Sequence, residues 1–86
     1  MGYLEKILKA FANRRRIAIV HYLKKHREAS VGEIAAAIRL SLKATSKHLA
    51  ILFAADIIEK DQRILQMFYR ITGDTKPLTR TIIKFL

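Results

Sequence analysis

Between Ser41 and Leu52 the chain reads SLKATSKHLAIL, and its first eight positions carry positive charge and hydrogen-bonding groups at helical spacing. On a helix Lys43 and Lys47 share an outer strip, with Ser46 at its edge and His48 next in sequence. Leu42, Thr45, Leu49, Leu52 and Phe53 gather on the opposite side, so that side is expected to be buried, Leu42 included. The strip loses its polarity after two turns, where Ala54 continues it without charge. Such a half-polar helix suits recognition of a polyanion. Side chains of the first turns meet base edges, and the helix N-terminus favours phosphate.

Other residue clusters offer less. Arg14, Arg15 and Arg16 form the densest run of charge, but three consecutive helical positions fan out over about 200 degrees, so one phosphate cannot engage all three. One of them is expected to contact phosphate; the others serve as solvated charge or in an ion pair. Arg39, beside the short connection before Ser41, is a further candidate for phosphate. His21 and His26 are five apart with no paired carboxylate, which is not metal-ligand spacing. Ser46 and His48, two apart on a helix, face different ways and cannot act as nucleophile and base. Asp56, Glu59 and Asp61 read as solubilising charges. With no cysteine and no glycine-rich phosphate loop, nothing suggests an enzyme, a cofactor or a metal site.

The elements that must carry these residues follow from periodicity and capping. Leu4, Ile7, Leu8 and Phe11 recur at helical spacing, and Asn13 caps a second helix with Ile17, Val20 and Leu23 on its apolar face, the pair covering residues 4–26. KKHRE then reads as a polar connection. Ser30 and Glu33 have the capping-box spacing, opening a third helix from Val31 to Ile38. A connection as short as RLS makes the next helix, capped by Ser41, which is also a candidate DNA contact, and running from Leu42 to about Ala55, cross steeply, which is a helix-turn-helix over residues 30–55. Residues 57–71 read as a hairpin with Arg63 at or near its tip, where it is expected to reach an adjacent groove or phosphate of DNA, although the turn lacks the usual Asn-Gly or Asp-Gly signal. Pro77 opens a last helix over residues 77–86, with Leu78, Ile82, Phe85 and Leu86 on one face. The expected class is mainly α with a small hairpin, a winged helix-turn-helix in one domain over residues 1–86.

Four segments, FANRRRIAIVHYL, SVGEIAAAI, SLKATSKHLAIL and FYRI, resemble successive blocks of the ArsR-type winged helix-turn-helix repressors, over roughly residues 4 to 72. The resemblance implies a homodimer that represses transcription at a pseudopalindromic operator on double-stranded DNA. It places base-facing positions on Leu42, Lys43, Ser46, Lys47 and His48, and it matches Arg16 to an arginine usual after the first helix junction. The family's paired thiolates would fall on Ser30 and Gly32, and its other site needs Asp and His on the last helix, where PLTRTIIKFL has neither. Metal sensing of the family type is therefore not expected. The family's wing glycine has no counterpart, because Arg63 and Ile64 occupy that region.

Composition agrees with this reading and widens it. Seventeen Lys and Arg against seven Asp and Glu leave a net charge of +10, a field that attracts polyanions whatever the fold. No stretch has the ~20 apolar residues of a membrane helix, nor the start a signal peptide, so a cytoplasmic protein without a membrane partner is expected. Leu4, Ile7, Leu8, Phe11, Leu78, Ile82, Phe85 and Leu86 exceed what so small a chain readily covers, which favours burial across a dimer axis. Two other functions fit the charge or the apolar ends: a sequence-tolerant architectural DNA- or RNA-binding module, and a protein-interaction module whose basic face is incidental.

Overall fold

The computed structural model describes residues 2–86. Helix α1 (Gly2–Phe11) is followed by α2 (Arg14–His26), strand β1 (Glu28–Ser30), α3 (Val31–Ile38), α4 (Leu42–Ala54), β2 (Ile58–Arg63), β3 (Gln66–Ile71) and α5 (Pro77–Lys84). The three strands form one antiparallel sheet in the order β1-β3-β2. This is a winged helix-turn-helix with a mixed α and β composition.

Local chemistry explains most of the boundaries. Asn13 is extended, and its Oδ1 accepts from the backbone N–H groups of Arg15 and Arg16 at 2.9 and 3.1 Å, so two of α2's free donors are satisfied as the chain turns out of α1. Ser30 and Glu33 complete the capping box: Ser30 Oγ accepts from the Glu33 N–H at 3.2 Å and Glu33 Oε1 from the Ser30 N–H at 2.8 Å. Arg39 ends α3 in the left-handed region, where its N–H bonds to the Ala36 carbonyl and the Leu40 N–H to that of Ala35. Two residues later Ser41 Oγ accepts from the Ala44 N–H at 3.1 Å and starts α4. The reversal between α3 and α4 therefore closes within three residues.

The segment KKHRE is not a plain connection. Helix α2 continues through His26, Arg27 turns the chain at φ 60°, and Glu28, Ala29 and Ser30 pair with Arg70, Tyr69 and Phe68 of β3. Three residues are too few to show alternation in sequence, so this strand is created by the partner edge that β3 offers.

The core joins Ile7, Ala10 and Phe11 of α1, Ile19, Val20 and Leu23 of α2, Ile34 of α3, Leu49 and Leu52 of α4, and Ile57 and Ile58 at the start of the wing. Two apolar faces differ from expectation. On α2 the inward stripe includes Ile19 and leaves Ile17 exposed, because the side that points inward at positions 19, 20 and 23 carries Arg16 at its leading end. On α4 Thr45, Leu49 and Leu52 are buried, but Leu42, in the first turn, remains 58% exposed, and Phe53 lies at the surface under Lys60. Ile7 and Phe11 are corrected as well: both are buried in the subunit's own core and are not available to a partner. Helix α5 stops at Lys84, short of the expected residue 86; Thr79 is buried, Leu78, Ile82, Ile83 and, beyond the helix, Leu86 pack against the core, and Phe85 is exposed.

Candidate nucleic-acid interface

Lys43, Ser46 and Lys47 project from the first two turns of α4, all exposed, while Thr45 and Leu49 on the other side anchor the helix. Ser41 is committed to its cap, which leaves its hydroxyl at the helix N-terminus with one hydrogen bond already made. Arg14 and Arg15 are exposed at the start of α2, and Arg39 is exposed on the turn between α3 and α4. None of Lys43, Lys47, Arg14, Arg15 or Arg39 has an ion-pair partner among the described residues. The helix-turn-helix thus presents uncompensated positive charge, whose long-range field steers an anionic polymer toward it.

Arg16 and His48 have a different task. The Arg16 Nε–H donates to the Ala10 carbonyl at 2.7 Å and an Nη2–H to that of Lys9 at 3.1 Å, closing the C-terminal end of α1. Its Nη1 lies 3.1 Å from His48 Nδ1, so the guanidinium donates and the ring nitrogen accepts. Burial first, and then the charges of Arg16 and Arg15, hold the His48 imidazole below its ordinary pKa of 6.5. A neutral His48 tied to Arg16 locks α4 onto the junction of α1 and α2. The expectation that both side chains touch DNA is revised: Arg16 and His48 are bonded to each other and position α4.

Arg63 is also revised. It is the last residue of β2, and its guanidinium makes a bidentate pair with Glu28 of β1, at 2.7 and 2.8 Å, and a third bond to Asp61 at 3.0 Å. Its plane rests over the Phe68 ring, 4.8 Å from the centroid. The pairing holds the Glu28 carboxyl below the usual carboxylate range. Arg70 is likewise bound to Glu59 at 2.7 Å. Glu28, Glu59 and Asp61 therefore neutralise the wing and are not merely solubilising. Nothing in the sequence announces the Glu28–Arg63 pair, whose members are 35 positions apart. What sequence reasoning missed is that the wing tip is Ile64 and Leu65, held out 94% and 91% exposed. Its signal was the absence of a turn-forming pair there.

The positions where paired thiolates would fall hold Ser30, whose hydroxyl caps α3, and Gly32. Among the described residues no group of three or more potential metal ligands converges, and no helix is long and apolar enough to cross a membrane. Leu4 and Leu8 are exposed on α1, lining a shallow groove with Ala12, and Phe85 is exposed after α5.

The model of the arsR family of bacterial regulatory proteins matches residues 13–60, from the cap of α2 into β2. Among solved structures, reduced HlyU from Vibrio cholerae is similar over 99% of this chain and 85% of its own, with 30% identity and a TM-score of 0.84. The transcriptional repressor PagR of Bacillus anthracis is similar over 98% of this chain and 92% of its own, with 26% identity and a TM-score of 0.80. A homodimeric winged helix-turn-helix DNA-binding domain from Mycobacterium bovis covers 98% of this chain with 74% of its own length aligned, 26% identity and a TM-score of 0.85. No match was found among curated protein sequences. A helix-turn-helix closed by two side-chain caps, a basic α4 and a three-stranded wing are thus joined to a family match over more than half the chain: this protein belongs to the arsR family of bacterial regulatory proteins, DNA-binding transcription regulators.

Proposed function

We propose that the protein is a homodimeric repressor that occupies an inverted repeat in double-stranded DNA, with one α4 in the major groove of each half-site. The observation that carries this reading is the exposed, unpaired basic strip of Lys43 and Lys47 with Ser46, on a helix whose opposite face is buried. Arg14, Arg15 and Arg39 flank it and suit phosphate contacts that set the register. The similarity to a repressor and to a homodimeric DNA-binding domain supports repression and the two-fold arrangement. Exposed Leu4, Leu8 and Phe85 offer the apolar surface for pairing, and half-sites would lie about one helical turn apart, ~34 Å.

Selection from a random duplex pool at physiological salt tests the proposal, since non-specific electrostatic binding is already weakened there. One enriched inverted repeat is expected. Replacing Lys43 or Lys47 with Ala should then weaken binding to that duplex, and where a phosphate contact is lost the salt slope falls by about one. Binding without an enriched motif, or affinity unchanged in both variants, would overturn the assignment.

A further inference from the structure

The hairpin between β2 and β3 turns through two residues, with Arg63 paired to Gln66 across the ladder and Ile64 and Leu65 at the tip. Both side chains are almost wholly exposed, more than any other large apolar residue of the described chain. Ile64 does so with φ 49°, a left-handed conformation that β-branched residues resist. An exposed turn of this kind ordinarily favours glycine or asparagine, on both conformational and solvation grounds. Here two apolar side chains are held out in water at a conformational cost.

The surroundings of the tip narrow what it meets. Leu65 lines the same shallow cleft as Leu42, the exposed first residue of α4, so the tip stands beside the N-terminal end of the helix read above as entering DNA. The nearest cation, Arg63, is drawn back along the sheet by Glu28 and Asp61. A tip without free charge gains little from phosphate or from an anionic lipid surface. Two side chains also fall far short of the roughly 800 Å² per partner of a stable protein interface. They are sufficient for a wedge between base pairs, where one or two apolar side chains entering from the minor groove unstack a step and kink the duplex.

The geometry points to an apolar minor-groove wedge: with α4 in the major groove, Ile64 and Leu65 enter the adjoining minor groove of double-stranded DNA and part a flexible base step. The inference rests on the DNA-binding reading of α4. Pyrimidine–purine steps, TA and CA/TG, are the easiest to unstack, so the wedge adds sequence preference outside the bases that α4 touches.

The test compares the wild-type protein with Ile64→Ser/Leu65→Ser in selections from one random duplex pool, followed by binding to the recovered duplex carrying a fluorescent adenine analogue at the flanking step. Wild type should enrich TA or CA/TG steps flanking each half-site and brighten the analogue as it unstacks. The variant should keep the half-site core, lose the flanking preference, leave the analogue dark and bind the recovered duplex more weakly than wild type. Because both positions are exposed, its thermal melting should stay near that of wild type. Identical flanking preference in the two proteins, or no brightening with wild type, would overturn the wedge while leaving the role of α4 intact. If wild type retains no duplex at all, both readings fall together; where it binds, Lys43→Ala/Lys47→Ala should abolish core binding without touching the tip, which separates the role of α4 from that of the wedge.

Discussion

Ile64 and Thr45 each break a local rule, and each yields a prediction at the scale of one side chain. Ile64 has a positive φ and buries almost nothing, so Ile64→Gly relieves backbone strain and loses little packing. Relief of the left-handed conformation, less the extra entropy of an unfolded glycine, should raise stability by about 0.5 kcal/mol in urea unfolding. The same change removes half of the wedge, so stability and DNA affinity are expected to move in opposite directions. Thr45 is fully buried in α4, and its hydroxyl has no hydrogen-bond partner. Thr45→Val keeps the branched shape and drops the unsatisfied group, which should leave stability unchanged or raise it by roughly 1 kcal/mol. A lower midpoint for Thr45→Val would show that the hydroxyl is paired in solution.

At the scale of elements, the orientation of α4 depends on a contact made outside the helix-turn-helix. Arg16 bonds to the last carbonyls of α1 and donates to His48 of α4, so three helices meet at one guanidinium. Protonating His48 at Nδ1 replaces this acceptor with a second positive charge beside Arg16 and Arg15. The folded state holds His48 below its ordinary value of 6.5, so the unfolded chain binds the proton more readily. Its contribution to stability is therefore fully present above pH 6.5 and is lost as the pH falls through the lowered folded pKa. Thermal unfolding of wild type should decline on that acidic side, and the decline should flatten in His48→Gln. An equal decline in the variant would assign it to other groups. The wing is stiffened by a different kind of contact: Arg63 joins β2 to β1 through Glu28, across the intervening strand β3. Those partners are largely exposed, and their gain is positional more than energetic.

At the scale of the whole molecule, one basic group and one apolar group sit on different elements. Arg14, Arg15, Arg39, Lys43 and Lys47, all without ion-pair partners among the described residues, lie on α2, the turn and α4, while exposed Leu4, Leu8 and Phe85 lie on the first helix and at the end of the last. Deleting α5 is a poor test of dimerisation, because Thr79, Ile82, Ile83 and Leu86 belong to or pack on the subunit's own core. Leu8→Asp/Phe85→Asp changes exposed positions and should leave the fold intact. Light scattering should show a dimer for wild type and a monomer for the variant, with loss of affinity for an inverted repeat. A variant that remains dimeric would place the interface elsewhere.

Whatever depends on residues a few positions apart was legible in the amino-acid sequence: the Asn13 and Ser41 caps, the Ser30–Glu33 box, the short turn before α4 and the basic strip of Lys43 and Lys47. These rest on hydrogen bonds and periodicities that span one or two helical turns, so the intervening residues alone set them. Tertiary structure decided the rest. It buried Ile7 and Phe11, left Leu42 and Ile17 outside, and drew Glu28–Ser30 into the sheet. It also coupled Arg16 to His48 and Arg63 to Glu28, pairs 32 and 35 positions apart. An arginine beside exposed basic residues looks the same in sequence whether it reaches outward or folds back. The choice is made by which carbonyls and carboxylates packing brings within hydrogen-bond range, and that depends on the whole chain.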